Sequence, residues 1–539
     1  MKKIFYLFDR DGAHISRWAK AEVEKIFEAD RRFSLESGVE PARAFSKNYD
    51  AVIIFAGSEN LIQDEQKKLD AYVNSGGALV FISPCAETEI ARKLTGIKTI
   101  EDTGIQQFGV FTENKSHYIT QRFPSEFQLT DNLQPVKTTD AETIFSTIAG
   151  KEKVPFVFTR AYGKGKICCV LAGKTRDTWT DFNFRKILIR CVAWMLGERQ
   201  NEKTINCALV GYGPMFNMGK AHGNSINATA GLKTIAVCDT NPERLEAAKQ
   251  ELPGLSGCFT NLEEMLKMKE LDLIIGIVPH NVHFEVVMKA LAYGKHVVIE
   301  KPFCINVSEA NQMIETAKKK NLMLSVFHNR RWDGDYVMIK KLVESGLIGD
   351  VFHIECFIGF YRHPGYWWRS YKDISGGVMH DWAAHFIDWI LNLVPSKIES
   401  IYGDFQKRVW FSVTNEDHGH ALIRFKNGVL ADFIISSIAA INKPKWKIFG
   451  TRGAIDVNWE TTDRINFVSF VSGIKQEGFV KAPQSTGWVD YYRNIADHLL
   501  MNEELLVKPE QSRRIIGVIE AAEKSSETGS LMAPFEDCE

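Results

Sequence analysis

The chain has 539 residues, more than one hydrophobic core usually organises, so about three or four folding units are expected. Hydrophobic residues make up 45% of the chain, which is enough for packed interiors. The 66 basic and 67 acidic residues leave a net charge of -1. This balance excludes a general electrostatic attraction to nucleic acid or to an anionic membrane, and it favours a small-molecule partner.

The cysteines and the N-terminus indicate a reduced, cytoplasmic protein. The ten cysteines are scattered without a CxxC pair, and several lie in apolar runs where cysteine behaves as a small hydrophobic residue. The apolar run after Lys2 and Lys3 is short and ends in charge, which is typical of a first strand rather than of a signal sequence. No stretch approaches the roughly 18 apolar residues that cross a bilayer, so we expect no membrane partner.

Strand and helix patterns alternate through residues 1–200. The predicted strands are 4–8, 51–56, 78–83, 154–160 and 166–172, and the predicted helices are 16–29, 63–74 and 183–196. Alternation of this kind predicts a mainly parallel sheet with helices on both faces.

Several short motifs in this region resemble the trehalose-utilisation (ThuA-like) domains. They are Tyr49-Asp50, Ser75-Gly76-Gly77, the run from Tyr162 to Lys166, and Trp194 close to Gly197. The resemblance implies a flavodoxin-like domain with the class I amidotransferase fold over residues 1–200.

The amidotransferase reaction needs a cysteine on a sharp turn flanked by glycines, where its thiolate is stabilised. Cys85 follows a predicted strand, but its neighbours Pro84 and Ala86 are not glycines, so we interpret it as a loop cysteine. His14 resembles a family histidine, whereas Gly173-Lys174 stands where the family has a glycine-histidine pair. We therefore expect a binding, lid or assembly role for this domain.

A dinucleotide-binding pattern begins after a short polar stretch at residues 197–203. The predicted strand 205–210 ends in Gly211-Tyr212-Gly213, ahead of a predicted helix at 218–230. Gly219 arrives three residues later than the usual third glycine, so we interpret residues 214–217 as an enlarged loop. Asp239 ends the next strand, where a carboxylate accepts both ribose hydroxyl protons and repels a 2'-phosphate, which favours NAD over NADP. Taken alone, this turn could equally be an ordinary strand-to-helix connection.

The rest of residues 204–327 continues the alternation, with predicted strands at 271–278, 296–299 and 323–327 and helices at 284–292 and 307–319. One strand ends in Glu300-Lys301-Pro302. This motif resembles the hallmark of the Gfo/Idh/MocA (glucose-fructose oxidoreductase, inositol dehydrogenase) family, and the similarity extends from Thr204 to the C-terminus. The resemblance implies that Lys301 is an active-site lysine.

Asp381 and His385 are four residues apart and therefore share one face of a predicted helix. Without further context such a pair is more often a helix-surface pair. The family resemblance implies instead that both complete the catalytic set with Lys301. We interpret His385, which by its usual pKa titrates near neutral pH, as the principal base. Asp381 then orients it or binds substrate, and Lys301 donates a hydrogen bond and relays a proton.

The pattern and the resemblance together predict a set of cofactor contacts. The predicted residues are Gly211, Tyr212, Gly213, Met215, Phe216, Asn217, Met218, Asp239, Thr240, Pro279, His280, His283, Glu300, Lys301, Pro302, Asn329, Arg330, Trp368 and Arg369.

Two features have competing interpretations. His280 with His283, and His380 with the residues up to Asp388, could be metal ligands, but neither has a closed ligand spacing, so we expect no metal. The resemblance implies that His283 supports the nucleotide loop. The aromatic cluster at 360–361 and 366–368 could belong to a core or could stack on a sugar.

The predicted architecture is α/β: a flavodoxin-like domain (1–200), a Rossmann NAD-binding domain (204–327), and an α+β domain (328–539) with a large, open, mainly antiparallel sheet. The resemblance implies an NAD-dependent oxidoreductase that transfers a hydride between the nicotinamide and a hydroxyl carbon of a sugar, glycoside or cyclic polyol. The alternatives are an NAD-dependent redox-assisted glycosidase and a catalytically silent sensing or assembly protein that retains NAD. The expected partners are a small carbohydrate and further copies of the chain, as a homodimer or homotetramer through the C-terminal sheet, without nucleic acid or membrane.

Overall fold

A computed structural model describes residues 1–8, 14–28, 30, 32–46, 48–55, 61–83, 88–100, 103–199 and 202–533, without the side chains of residues 14–18, 99 and 100. The chain forms two compact units, Met1–Glu202 and Lys203–Glu539, and each is described by itself. No helix among the described residues combines the length and the apolar character needed to cross a bilayer.

The first unit is built around a nine-stranded sheet. Its strands and those of a separate two-stranded sheet are β1 (Lys2–Leu7), β2 (Phe33–Gly38), β3 (Ala51–Phe55), β4 (Ala78–Ile82), β5 (Ile97–Ile100), β6 (Ile105–Thr112), β7 (Glu126–Asn132), β8 (Val136–Thr138), β9 (Glu142–Ala149), β10 (Glu152–Tyr162) and β11 (Gly165–Val170). Its helices are α1 (His14–Glu28), α2 (Pro41–Ala44), α3 (Gln63–Asn74), α4 (Glu89–Thr95), α5 (Arg176–Thr180) and α6 (Phe182–Met195).

The strand order in the large sheet is β2-β1-β3-β4-β11-β10-β9-β6-β7, and β5 pairs with β8. The first five strands of that order are parallel, and the remaining pairs are antiparallel. The parallel half confirms the prediction, because β3 and β4 are apolar and buried along their whole length. Of the antiparallel extension only β10 was predicted as a strand, at 154–160. The other strands were missed; β7, for example, alternates exposed and buried positions and carries a weaker apolar signal.

Two features of interest in this unit are only partly visible. Cys85 lies outside the described residues, within the gap at 84–87. His14 begins α1, but its side chain is not described.

After β11, the backbone N–H groups of Gly173 and Lys174 donate to the buried carboxylate of Asp131, at 2.5 and 3.1 Å. The predicted binding, lid or assembly role of this unit stays a prediction.

The second unit begins with a six-stranded parallel sheet. Its strands are β12 (Ile205–Val210), β13 (Leu232–Cys238), β14 (Gly257–Phe259), β15 (Leu273–Gly276), β16 (His296–Ile299) and β17 (Leu324–Val326), and its helices are α7 (Met218–Asn227), α8 (Pro242–Glu251), α9 (Leu262–Leu266), α10 (His283–Ala292) and α11 (Val307–Lys320). The order is β14-β13-β12-β15-β16-β17, so the direction of progression reverses between β12 and β15. Ligands of open α/β sheets bind at the carboxyl ends of the strands beside such a reversal.

The rest of this unit contains an eight-stranded sheet. Its strands are β18 (Val351–Gly359), β19 (Ile398–Gln406), β20 (His418–Phe425), β21 (Leu430–Ser436), β22 (Trp446–Gly450), β23 (Gly453–Val457), β24 (Arg464–Val471) and β25 (Ile474–Lys481), and its helices are α12 (Gly334–Glu344), α13 (Lys372–Ser375), α14 (Val378–Leu393), α15 (Gly487–Met501) and α16 (Pro509–Thr528). The order is β19-β20-β21-β18-β22-β23-β24-β25, antiparallel except between β18 and β21. The large, mainly antiparallel sheet is therefore confirmed.

Helix α14 is held on this sheet by aromatic packing. The ring of Phe386 lies 5.0 Å from that of Phe433 on β21, and Trp389 lies 5.4 Å from Trp446 on β22. Burial of side chains of this size stabilises the fold by about 1.5–3 kcal/mol each. The anchored helix fixes the positions of the polar residues on its other turns, among them Asp381 and His385.

Candidate functional site

The turn after β12 has a glycine where the backbone requires one. Gly211 has a φ of +96°, and a Cβ atom there would overlap the carbonyl oxygen of Ile277. At Gly219 a Cβ would lie 2.5 Å from the ring of the buried Tyr212. The late third glycine therefore allows α7 to pack against Tyr212. A Cβ at Gly213 would meet no described atom within 4 Å.

The predicted enlarged loop is a short 3-10 turn, Met215–Asn217, directly before α7. Phe216 and Asn217 adopt left-handed backbone conformations, with φ values of +59° and +50°. Met215 and Phe216 expose more than half of their side-chain surface. The loop thus presents two apolar side chains outward, beside the free N–H groups at the start of a ten-residue helix.

Asp239 ends β13, as predicted, and it also fixes the glycine turn. One carboxylate oxygen accepts a hydrogen bond from Tyr212 N at 2.6 Å, and the other accepts one from Asn241 N at 2.9 Å. The sequence did not reveal this contact with the turn. Thr240, the next residue, is exposed.

Glu300 ends β16 and is held by a chain of buried hydrogen bonds. One of its oxygens lies 2.9 Å from Nε2 of His222, whose Nδ1 lies 2.6 Å from the hydroxyl of Tyr492. The other oxygen accepts a hydrogen bond from Lys301 N at 3.0 Å, and a cis peptide bond joins Lys301 to Pro302. Burial alone would raise the pKa of Glu300, but the hydrogen bond and charge of His222, together with the charge and backbone N–H of Lys301, outweigh it and lower the pKa.

Lys301 and Asp381 form an ion pair that joins the two halves of the unit. Lys301 Nζ lies 2.7 Å from Asp381 Oδ1 and 3.0 Å from the backbone oxygen of the same residue. Arg369 Nη1 lies 3.4 Å from the same carboxylate oxygen. Burial would raise the pKa of Asp381, but the charges of Lys301 and Arg369 outweigh it and hold the pKa well below its usual range. The carboxylate is therefore ionised at neutral pH.

His385 lies one helical turn after Asp381 and is 95% buried. Burial, with the nearby charge of Lys301 as the next cause, lowers the pKa of His385 well below its usual value. The sequence alone places its titration near neutral pH, and burial moves it lower. The ring is therefore neutral at pH 7. Its Nδ1 atom has no hydrogen-bond partner in the described part of the chain.

His280 and His283 are buried and face backbone carbonyl groups. The ring nitrogens of His283 lie 2.8 Å from Pro302 O and 3.0 Å from Val278 O, so that the ring ties the loop after Pro279 to the cis proline. His280 Nδ1 lies 2.8 Å from Ser375 O, whereas its Nε2 has no partner among the described atoms. No group of three His, Cys, Asp or Glu residues in the described ranges is arranged to hold a metal ion.

These elements enclose a cleft of about 660 Å³. The predicted site residues that line it are Phe216, Met218, Glu300, Lys301, Asn329, Arg330, Arg369, Asp381 and His385. The other predicted cofactor residues do not line it. Trp368 instead packs its ring 4.7 Å from that of His280, and its neighbour Trp367 forms part of the wall.

Sequence reasoning missed several lining residues. Trp382 follows Asp381 on α14, Asn415 and Glu416 precede β20, and Trp488 begins α15. Trp382 could have been found because it lies inside the predicted motif. Trp488 and Asn415 lie in segments with no pattern that distinguishes them, since only tertiary packing brings them to the cleft.

The residues of the glycine turn and the cleft fit a nicotinamide dinucleotide. Because Gly213 has no side chain, a dinucleotide can approach the backbone closely at this position. The start of α7 offers unpaired backbone N–H groups to its pyrophosphate. The unpartnered Nε2 of the buried His280 offers a further polar contact. These groups could hold the dinucleotide from Asp239 to the cleft.

Comparisons with protein families agree with this architecture. Residues 205–328 match the GFO_IDH_MocA model, described as an oxidoreductase family with an NAD-binding Rossmann fold, and residues 336–456 match the GFO/IDH/MocA C-terminal domain. Residues 8–195 match the ThuA model, described as trehalose utilisation.

Individual relatives and solved structures agree with these family matches. The chain is 29% identical over 314 residues to "Uncharacterized oxidoreductase C115.03" of Schizosaccharomyces pombe, covering 50% of this chain and 84% of the relative. It is 25% identical over 355 residues to "scyllo-inositol 2-dehydrogenase (NADP(+)) IolW" of Bacillus subtilis, covering 62% and 96%. The solved structure of an NAD-binding protein from Listeria innocua is 27% identical, with a TM-score of 0.56 over 62% of this chain and 98% of that chain. Residues 205–328 and 336–456 therefore belong to the Gfo/Idh/MocA oxidoreductase family, and residues 8–195 belong to the ThuA family.

Proposed function

We propose that this protein is an NAD-dependent oxidoreductase that removes a hydride from a hydroxyl-bearing carbon of a sugar, glycoside or cyclic polyol. The observation that carries the proposal is that one cleft contains the Lys301–Asp381 ion pair and His385 together with Phe216 and Met218 of the dinucleotide turn. Residues 204–327 would bind the nucleotide, and residues 328–539 would bind the substrate and assemble the oligomer.

The three polar groups have complementary roles in oxidising an alcohol. The neutral ring of His385 has a lone pair that can accept the hydroxyl proton. The ammonium of Lys301 can donate a hydrogen bond to the same hydroxyl oxygen and stabilise negative charge as it develops. Asp381 stays ionised and holds the lysine in place through the 2.7 Å contact. The bound nicotinamide supplies the hydride acceptor.

The end of β13 supports NAD rather than NADP. Asp239 is fixed by two backbone N–H groups, and each of its oxygens keeps a lone pair for a ribose hydroxyl. A 2'-phosphate beside this carboxylate would be repelled. The B. subtilis relative IolW is named as an NADP(+) enzyme and another B. subtilis relative as "scyllo-inositol 2-dehydrogenase (NAD(+))", so cofactor preference differs among the relatives.

The walls of the cleft support a carbohydrate. Aromatic side chains, Trp367 and Trp382, lie beside hydrogen-bonding groups, Asn415 and Glu416, and this combination suits the flat apolar faces and the hydroxyl groups of a sugar ring. The B. subtilis relative is named as an inositol dehydrogenase, and its substrate is a cyclic polyol.

The test is a screen of sugars, glycosides and cyclic polyols with NAD and with NADP, following the absorbance of the reduced nicotinamide. We expect turnover with NAD to exceed turnover with NADP at equal concentration. Lys301→Met should lower kcat by about 10²- to 10⁴-fold while NAD still binds. Lys475→Met, an exposed lysine on β25 that does not line the cleft, is the matched control. Full activity of Lys301→Met would contradict the proposal.

A further inference from the structure

A second cleft, of about 1010 Å³, adjoins the first one. The two clefts share four lining residues, which are Asn329, Arg330, Trp382 and Trp488. These shared walls place the second cleft directly beside the cleft that contains Lys301 and Asp381.

The boundary between the clefts lies next to the reacting groups. Trp382 follows Asp381 directly and precedes His385 by three residues on α14. The guanidinium of Arg330 lies over the Trp382 ring at 4.9 Å and is held by Asp333 at 2.9 Å. One aromatic side chain therefore separates the proposed catalytic groups from the second cleft.

The second cleft combines an aromatic platform with exposed polar groups. Trp459 is half-buried, its ring stands perpendicular to that of Trp382 at 6.1 Å, and its indole N–H donates to Phe357 O at 2.8 Å. The exposed side chains of Asp463, Lys481 and Gln484 line the same cleft. A rigid aromatic surface with hydrogen-bonding groups at its edge is suited to a second sugar ring.

Charges in the second cleft are balanced, which narrows the class of ligand. Three acidic and three basic side chains line it, namely Asp333, Asp335, Asp463, Arg330, Lys445 and Lys481. Lys445 and Asp335 form a buried ion pair at 2.5 Å. With no excess of positive charge, the cleft has no electrostatic preference for a phosphorylated or otherwise anionic group. A neutral, hydroxyl-rich group is the better match.

Backbone contacts fix the wall of the second cleft in advance of any ligand. Gly334 N donates to Ser485 Oγ at 2.9 Å, and Ala482 N donates to Asp463 O at 2.8 Å. Thr486 N donates to Trp332 O at 3.4 Å, and Gly487 lies so close to Asn329 that a Cβ would be 2.5 Å from its carbonyl oxygen. The segment 482–487 is therefore held in place, and a preorganised wall costs a ligand less ordering entropy.

The dinucleotide does not account for this cleft. Of the predicted cofactor contacts only Asn329 and Arg330 line it, and both belong to the wall that it shares with the first cleft, which Phe216 and Met218 also line. The second cleft therefore extends the substrate side of the site.

We propose that the substrate is a disaccharide or a longer neutral glycoside, with the oxidised ring at Lys301, Asp381 and His385 and the next sugar ring in the second cleft. This inference rests on the proposed oxidoreductase function and names its substrate class. A free monosaccharide or a cyclic polyol would use the first cleft alone.

The test compares matched substrates on the full-length protein saturated with NAD. Methyl glucoside, methyl galactoside and methyl mannoside are each compared with disaccharides that carry the same non-reducing ring. We expect kcat/KM to be about tenfold higher for at least one disaccharide than for its methyl glycoside. Lys481→Ala and Asp463→Ala should each lower that ratio about three- to tenfold, because each removes a hydrogen bond to the second ring.

Lys475→Ala is the matched control, because it is an exposed lysine on the same strand, β25, outside both clefts. Calorimetric titration of the disaccharide in the presence of NADH gives a second readout, in which the two test variants should weaken binding and the control should not. Equal kcat/KM values within every pair, unaffected by the variants, would overturn the inference and leave the oxidoreductase function intact. Turnover of cyclic polyols alone would do the same. No turnover of any alcohol would overturn both.

Discussion

Two charged residues and one neutral residue define the chemistry of the cleft, and their surroundings set each protonation state. Lys301 comes from the end of β16, whereas Asp381 and His385 come from α14. Because the pKa of Asp381 is held well below its usual range, its carboxylate does not take up a proton at neutral pH. The neutral ring of His385 is then the group that accepts the hydroxyl proton in the proposed reaction. Removing the negative charge of Asp381 should therefore affect the position of the Lys301 ammonium, which it contacts directly, more than the protonation of His385.

Asp381→Asn should lower kcat by about 10²-fold or more, because a neutral amide no longer holds the ammonium of Lys301 in place. The measurement is steady-state turnover of the substrate found in the screen. Asp373→Asn, an exposed aspartate on the nearby α13 that does not line the cleft, should leave turnover unchanged. Equal losses in the two variants would show that the charge of Asp381 has no special role.

His328 should make the second unit sensitive to acid. Burial, partly offset by Asp388, lowers its pKa to about 4, whereas a histidine in an unfolded chain has a pKa of about 6.5. The unfolded state therefore binds more protons between these values, so this stabilisation is complete above pH 6.5 and is lost as the pH falls towards 4.

Replacement of this ring isolates its contribution. Neither nitrogen of His328 has a hydrogen-bond partner among the described residues, so His328→Phe removes the titration without breaking a hydrogen bond. Between pH 7.5 and pH 5 the free energy of unfolding should fall by about 2 kcal/mol less in the variant than in the wild type. Urea unfolding at both pH values measures this, and identical losses would contradict the assignment.

A buried ion pair joins Arg331, before α12, to Asp388 on α14. Arg331 donates two hydrogen bonds to Asp388, at 2.8 and 2.5 Å, and both side chains are nearly inaccessible to solvent. Arg331→Met should lower the free energy of unfolding by about 3–5 kcal/mol, because it leaves an unpaired buried carboxylate. Urea unfolding measures the change. The double variant Arg331→Met/Asp388→Leu should recover much of it, and an equal loss in both would contradict this explanation.

At the scale of elements, the two glycines on either side of the loop before α7 have different roles, one in packing and the other in ligand binding. Gly219 is needed for the contact of α7 with Tyr212, whereas Gly213 has open space where its Cβ would be. Gly213→Ala should therefore fold with an unchanged melting temperature and bind NAD about tenfold more weakly or worse, because the methyl group stands where the backbone meets the dinucleotide. Calorimetric titration with NAD measures the affinity.

The matched variant is Gly219→Ala, which should lower the melting temperature through its overlap with Tyr212. Loss of stability in Gly213→Ala, with NAD affinity preserved, would contradict this division of roles.

Elements with a strong apolar period were predictable from the sequence. The bounds of β12 and β16 match their predictions residue for residue, because each strand is a run of strand formers with an abrupt end. The hairpin of β24 and β25 was missed, since β25 is exposed along almost its whole length and has no buried face to signal it. The sequence showed that the third glycine, Gly219, comes late, but its contact with the ring of Tyr212 is a tertiary contact that no local pattern predicts.

At the scale of the whole molecule, the site depends on contacts that the sequence does not encode locally. Lys301 and Asp381 are 80 positions apart, and the family resemblance rather than any spacing rule brought them together in the prediction. The second cleft shows the limit of that reasoning, since its walls come from five separate segments and no motif marks them.

We propose that the protein assembles through its C-terminal sheet. The outermost hairpin exposes the directly opposed apolar pair Val471 and Ile474, at 47% and 67% of their surface, on the face opposite to Lys475. Light scattering should give the mass of a dimer or tetramer for the wild type and a smaller species for Ile474→Asp, whereas Lys475→Asp should keep the wild-type mass. A monomeric wild type would contradict the proposal.

The central claim, net hydride transfer from a carbohydrate to NAD, is tested most directly by stoichiometry. The reduced nicotinamide formed is measured by absorbance and compared with the oxidised sugar recovered from the same reaction. The account predicts one reduced nicotinamide for each oxidised sugar, with Lys301→Met reducing both together. Release of a sugar without accumulation of reduced nicotinamide would indicate a redox-assisted glycosidase, and tight NAD binding without turnover would indicate a sensing or assembly protein. Either result would contradict the account.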